Sequence, residues 1–193
     1  MNTKLAVELC LSEDKADISE LVSELKNKDK RLANDCIKVL YEIGERRPDL
    51  IALYAKEFIQ LLTSSNNLLV WGGMTALSQI TDLAHGIIYD NIDKVLYALK
   101  NGSVITVDNA VSVMAKLCTV NSTYKKHLFP ILMEHLRKCR PKEVAQHAER
   151  TSIAIDIDNL DEFSKVLDER TGSLSKAQQT RVFRLVKKLK NSF

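Results

Sequence analysis

The chain has 193 residues, 45% of them hydrophobic and 27% charged, the balance of a folded, water-soluble protein of one-domain length. A formal charge of +3 is too small to argue for nucleic acid by itself, and no apolar run approaches the length of a membrane span. Six glycines and three prolines leave few places for turns, as a chain of helices requires.

Apolar spacing predicts helices near residues 3–11, 14–26, 29–46, 48–63, 67–84, 86–100, 104–119, 122–139, 142–156, 159–170 and 175–190, with no strand. Near the start, Asp17 and Glu20 offer a capping pair, although the apolar spacing begins slightly earlier. Pro48 and Pro141 fall where helices should begin, where the missing amide wastes no hydrogen bond. Gly72 and Gly73 lie inside a predicted helix at a cost of about 1 kcal/mol each relative to Ala. Close helix packing would offset that cost; the other reading is a kink or a late helix start after Asn66 and Asn67. Pro130 interrupts 122–139, so that helix either kinks there or restarts near His127.

The elements repeat. Leu25, Leu62, Leu99 and Leu136 are spaced by 37 residues, and further columns keep the step. Ile18, Ala55, Ile92 and Phe129 form one, and Leu21, Phe58, Val95 and Leu132 the next. A second helix carries Ala33, Val70, Val107 and Val144, then Cys36, Gly73, Ala110 and His147. Leu40, Leu77, Met114 and Thr151 follow, with Ile43, Ile80, Leu117 and Ala154. After the fourth unit the step shortens to 34, from Phe129 and Leu132 to Phe163 and Val166. Such a period predicts stacked helical hairpins, each unable to bury its apolar face alone, with an atypical last unit.

The runs Asn67 to Ile80 and Asp49 to Leu62 resemble the first and second helices of HEAT and armadillo repeats. The Asp and Arg that many HEAT units carry around the inter-helix turn do not recur from unit to unit here. The resemblance implies an all-α, right-handed superhelix of about four to five hairpins with a C-terminal capping helix. No Pro/Gly/Ser-rich linker divides the chain, so residues 1–193 are expected to form a single domain. The resemblance further implies a concave face, built by second helices, that holds proteins, peptides or nucleic acid.

At 37-residue steps the solvent side of those helices presents Ala52, Lys56 and Gln60, then Tyr89, Asp93 and Tyr97, then Lys126, Pro130 and Glu134. Lys56, Tyr89, Asp93, Tyr97 and Lys126 are the candidate partner-binding residues, the two tyrosines as anchors. Trp71, the only tryptophan, is read as packing between repeats. Charge is uneven: residues 121–150 hold seven basic and three acidic side chains, 151–172 hold two and six, and 173–193 hold six and none. In the last helix Arg181, Arg184, Lys187 and Lys188 oppose Val182, Leu185, Val186 and Leu189, the pattern of a capping helix. Together with Lys125, Lys126, Arg137 and Lys138 these cations form the alternative, a phosphate-binding surface for nucleic acid.

No catalytic constellation is found, and neither an enzyme nor a cofactor is expected. Asp156, Asp158, Asp161 and Glu162 lack the glycine and distant glutamate of a calcium loop and read as a charged turn. His135 and Cys139 stand at helical ligand spacing, but two ligands do not make a zinc site, so no metal is expected. Cys10, Cys36, Cys118 and Cys139 form no CxxC pair and read as small apolar residues in a reducing compartment. With no signal peptide evident, the expected location is the cytoplasm. The leading reading is a non-catalytic scaffold or adaptor that binds a protein or peptide and no membrane.

Overall fold

The structure of the chain, a computed structural model, describes residues 2–193. Eleven α-helices and no strand occur among the described residues. They are α1 (Asn2–Ser12), α2 (Lys15–Ser23), α3 (Lys30–Arg46), α4 (Ala55–Leu61), α5 (Asn67–Tyr89) and α6 (Ile92–Asn101). α7 (Val104–Val120), α8 (Ser122–Lys138), α9 (Pro141–Thr151), α10 (Leu160–Arg170) and α11 (Lys176–Lys190) complete the chain.

Local chemistry explains the boundaries. Asp14, not Asp17, caps α2, its carboxylate accepting from the amides of Ala16 and Asp17 at 2.9 and 3.1 Å. Asp29, Asn66 and Asn121 cap α3, α5 and α8 in the same way, each leaving fewer first-turn amides unpaired. Ser175 and Gln178 form a capping box at α11. Pro141 opens α9, and Pro48 opens a 3₁₀ turn. The segment predicted as one helix over 48–63 is two such turns, Pro48–Leu50 and Ala52–Tyr54, leading into α4. Their tighter winding lets the adjacent Leu50 and Ile51 both reach the core. The break predicted near residue 85 is a kink at Ala84 (φ −124°, ψ 22°), beyond which α5 runs on to Tyr89. Pro130 lies on the exposed side of an uninterrupted α8, so no restart occurs at His127.

The chain divides into two compact units, the first extending through Val113 and the second spanning Met114–Phe193. In the first, α1 packs on α3, and α5 is flanked by α3 and α4. Its core holds Ile18, Leu40, Ile43, Phe58, Leu77 and Ile80. In the second, α8 packs on α9 and α10, and α11 lies on α9 and α10. Leu128, Leu132, Leu136, Val144, Phe163 and Val166 are buried there. α11 buries only Val182 fully, and Leu185, Val186 and Leu189 are half-buried, as a covering helix requires.

Most members of the repeat columns are buried, but Leu99 is half-buried where its equivalents Leu25, Leu62 and Leu136 are closed off. Gly72 and Gly73 mark close approach. A Cβ on Gly72 would lie 2.6 Å from Ile37 Cγ1, and one on Gly73 would lie 3.0 Å from Leu61 Cβ and 3.1 Å from the Phe58 carbonyl oxygen. The pair seats α5 between α3 and α4. Trp71 packs its ring against Tyr41, with centroids 5.5 Å apart. Polar bridges also join successive first helices: Asn66 donates to Asn34 at 2.8 Å, and Asn109 donates to Thr75 at 3.0 Å while accepting from Ser78 at 3.2 Å.

Candidate functional site

Unit by unit, the candidate residues fall into distinct surroundings. In the first unit Asp93 and Tyr97 stand four residues apart on one side of α6, both exposed, with Tyr97 59% open to water. Tyr97, Ala98, Asn101 and Gly102 line a cleft of about 250 Å³ against Leu62, Ser64, Ser65, Asn67 and Val70. Tyr89 ends α5, past the kink, and is half-buried; it does not share a helix with Tyr97. Lys56 and Gln60 are exposed on α4, and Ala52 is half-buried in the 3₁₀ turn before it.

In the second unit Lys126 and Pro130 are exposed on α8. With Lys125 and Phe129 they form one wall of a groove of about 440 Å³ whose other wall is Asp156, Asp158, Asn159 and Glu162. Lys125 donates to the Asp156 carboxylate, which this bond holds below the usual carboxylate range. Asn159 locks the turn, accepting from the Asp156 amide at 2.9 Å and donating to the Ala154 carbonyl at 3.1 Å.

Ion pairs occupy half of the predicted phosphate-binding cations. Arg181 grips the Glu149 carboxylate through two bonds of 3.0 and 2.6 Å, which raises the guanidinium's affinity for its proton. Lys138 pairs with Glu134 at 2.6 Å and pulls that carboxyl's pKa down. Arg137 stands among Glu134, Glu162 and Glu169 at 3.6–3.7 Å. Lys125 is bound to Asp156. Lys126, Arg184, Lys187 and Lys188 are exposed and hold no ion pair among the described residues.

Two arrangements in the second unit are completed only by the fold. Arg170, the last residue of α10, donates to the carbonyl oxygens of Leu136, Arg137 and Cys139 at 2.6, 2.6 and 2.8 Å. It takes the place of the leucine column in the shortened last step, 34 residues after Leu136. Its charge meets the negative end of the α8 dipole. The second arrangement gathers His135, Cys139 and His147. The Nε2 of His135 and Nδ1 of His147 are hydrogen-bonded at 2.9 Å, and the donor atoms of all three residues lie within 4.8 Å of one another. His147 is fully enclosed and Cys139 is 9% exposed. Burial, then the neighbouring His147, pushes the His135 pKa down to about 4, and burial raises that of the Cys139 thiol. The repeat register held the clue, because His147 continues a column otherwise made of Cys36, Gly73 and Ala110.

The sequence matches no protein-family model and no curated protein. Solved structures do resemble it. An engineered protein aligns over 98% of this chain and 90% of its own, with a TM-score of 0.67 and 17% identity. A designed armadillo repeat protein in complex with peptide (KR)4 aligns over 96% of this chain and 85% of its own, with a TM-score of 0.71 and 12% identity. The fold is that of HEAT and armadillo-like helical repeats. A second engineered protein, of which the armadillo-like chain spans 47%, gives a TM-score of 0.66 at 16% identity over 90% of this chain. No described helix of the armadillo-like chain is long and apolar enough to cross a membrane.

Proposed function

We propose that this armadillo-like chain is a non-catalytic protein-interaction module, a scaffold or adaptor that binds a peptide or helix of a protein partner. Tyr97 is the anchor, with Asp93, Lys56 and Tyr89 of the same unit in support, and Lys126, in the second unit, is a separate candidate contact. The carrying observation is the exposed Tyr97 ring on the rim of a cleft between helical repeats. A ring so placed gains apolar burial and a hydroxyl contact when a partner covers it. The designed armadillo repeat protein that holds peptide (KR)4 supports the reading through its fold. Four free cysteines, three of them buried, support placing the protein in the reducing cytoplasm.

The deciding experiment is affinity purification of the tagged protein from its own organism's lysate, with and without nuclease, read by mass spectrometry. A specific protein retained after nuclease is the expected result. Tyr97→Ala should then weaken that partner by more than about 1 kcal/mol with the fold intact, and unchanged affinity would remove Tyr97 as the anchor. Nucleic-acid binding is the second reading, favoured by the unpaired Arg184, Lys187 and Lys188 on α11. It requires associated proteins to vanish with nuclease and duplex affinity to fall both with salt and on charge reversal of these three residues.

A further inference from the structure

The His135, Cys139 and His147 group lines neither the Tyr97 cleft nor the Lys126 groove, and its place in the repeat is unusual. Two repeat lengths earlier, at 37 residues each, His135 corresponds to Leu61 and His147 to Gly73. There the helices nearly touch, a Cβ on Gly73 falling 3.0 Å from Leu61 Cβ. One repeat length earlier the same positions are Ala98 and Ala110, both buried. Earlier hairpins thus close this crossing with small or apolar side chains. The hairpin of α8 and α9 closes it with two imidazoles in hydrogen-bond contact, and Cys139 adds a thiol four residues beyond His135.

We propose that His135, Cys139 and His147 form a binding site for a transition-metal cation of the Zn²⁺ class. Two imidazoles and a thiolate suit zinc and disfavour calcium or magnesium, which take oxygen ligands. A tetrahedral ion with Zn–N of about 2.0–2.1 Å and Zn–S of about 2.3 Å sets its donors roughly 3.3–3.7 Å apart. The three donor atoms, already within 4.8 Å, reach that spacing by side-chain shifts on the order of 1 Å. The imidazoles must part slightly from 2.9 Å. Water takes the fourth position.

Binding exchanges the Cys139 thiol proton for a metal–sulfur bond, so one proton leaves for each cation bound. The hydrogen between the imidazoles moves to the outer nitrogen of the ring that carried it, which frees Nε2 of His135 and Nδ1 of His147 as ligands. Arg170 fixes the Cys139 backbone through its carbonyl oxygen at 2.8 Å. Glu143, one turn before His147 on α9, is paired with Arg140.

The test uses the untagged full chain, stripped with a chelator, and titrates Zn²⁺ against a chromophoric competitor and Co²⁺ by absorption spectroscopy. The expected result is one equivalent bound, a thiolate-to-cobalt charge-transfer band, the intensity of tetrahedral cobalt, and one proton released. Cys139→Ser should abolish the charge-transfer band, and both it and His135→Gln should weaken Zn²⁺ at least tenfold with helix content unchanged. His127→Gln, at an exposed histidine of the same helix, should retain full binding. Absence of the charge-transfer band, or one-equivalent binding unaltered in Cys139→Ser and His135→Gln, would overturn the site and leave a buried histidine pair.

Discussion

At the scale of single residues, steric space decides what the sequence's chemistry can do. Gly72 sacrifices about 1 kcal/mol of helix propensity relative to Ala, yet a Cβ there meets the enclosed Ile37 at 2.6 Å. Ile37 is hemmed in and cannot turn away, so overpacking outweighs the propensity gain. Gly72→Ala should therefore destabilise the protein by about 1–3 kcal/mol in denaturant unfolding, where an exposed helical Gly→Ala would stabilise it. Asp156 shows the same dependence on surroundings in its charge. Lys125 lowers its folded pKa below that of the unfolded chain. The unfolded state then binds more protons as pH falls, so the pair's contribution is present above about pH 4 and disappears as pH drops through the lower folded value. Asp156→Asn should be less stable than the parent by about 0.2–1 kcal/mol at neutral pH, as for a half-exposed pair, and the gap should close in acid. A gap that persists undiminished at pH 2 would mean that the carboxylate's charge is not what matters.

At the scale of elements, one side chain ties the end of α10 to the end of α8. Arg170 reaches from the end of α10 to three carbonyl oxygens at the end of α8, groups that a helix cannot satisfy internally. A planar guanidinium suits this task better than an ammonium because several donors point in fixed directions. Arg170→Met keeps most of the apolar stem and removes the donors, and it should lower stability by about 1.5–3 kcal/mol. Arg170→Lys should recover only part of that loss. Equal stability of the parent and Arg170→Met in urea would show that water replaces these bonds at no net cost. The 37-residue columns predicted the packed face of most elements from sequence, since a helix's burial stripe depends on local spacing alone. They over-reached at Leu99, which is half-buried, because a column cannot say how much of a given crossing a neighbour covers.

At the scale of the molecule, α7 crosses the boundary between the two compact units without interruption. Val111 and Val113 on one side and Met114, Leu117 and Cys118 on the other are all buried. Melting either unit frays a helix that continues along the chain into the other. Trp71, in the first unit, and total helix content should therefore report one coincident thermal transition by fluorescence and far-ultraviolet circular dichroism. Two separated midpoints would show that α7 does not couple the units.

The sequence by itself determined the helices, their order, most of their buried stripes and the repeat, because these follow from side-chain spacing within a few turns and from recurrence along the chain. It also placed Tyr97 on an open surface. Only the tertiary structure decided which cations are neutralised, as with Arg181 on Glu149 across 32 residues, and where Arg170 finds its acceptors. The same holds for His147, which stands 12 residues from His135 and meets it only because α8 turns back into α9. Spacing along a chain specifies which side chains share one helix, whereas contact between helices depends on loop path and crossing geometry.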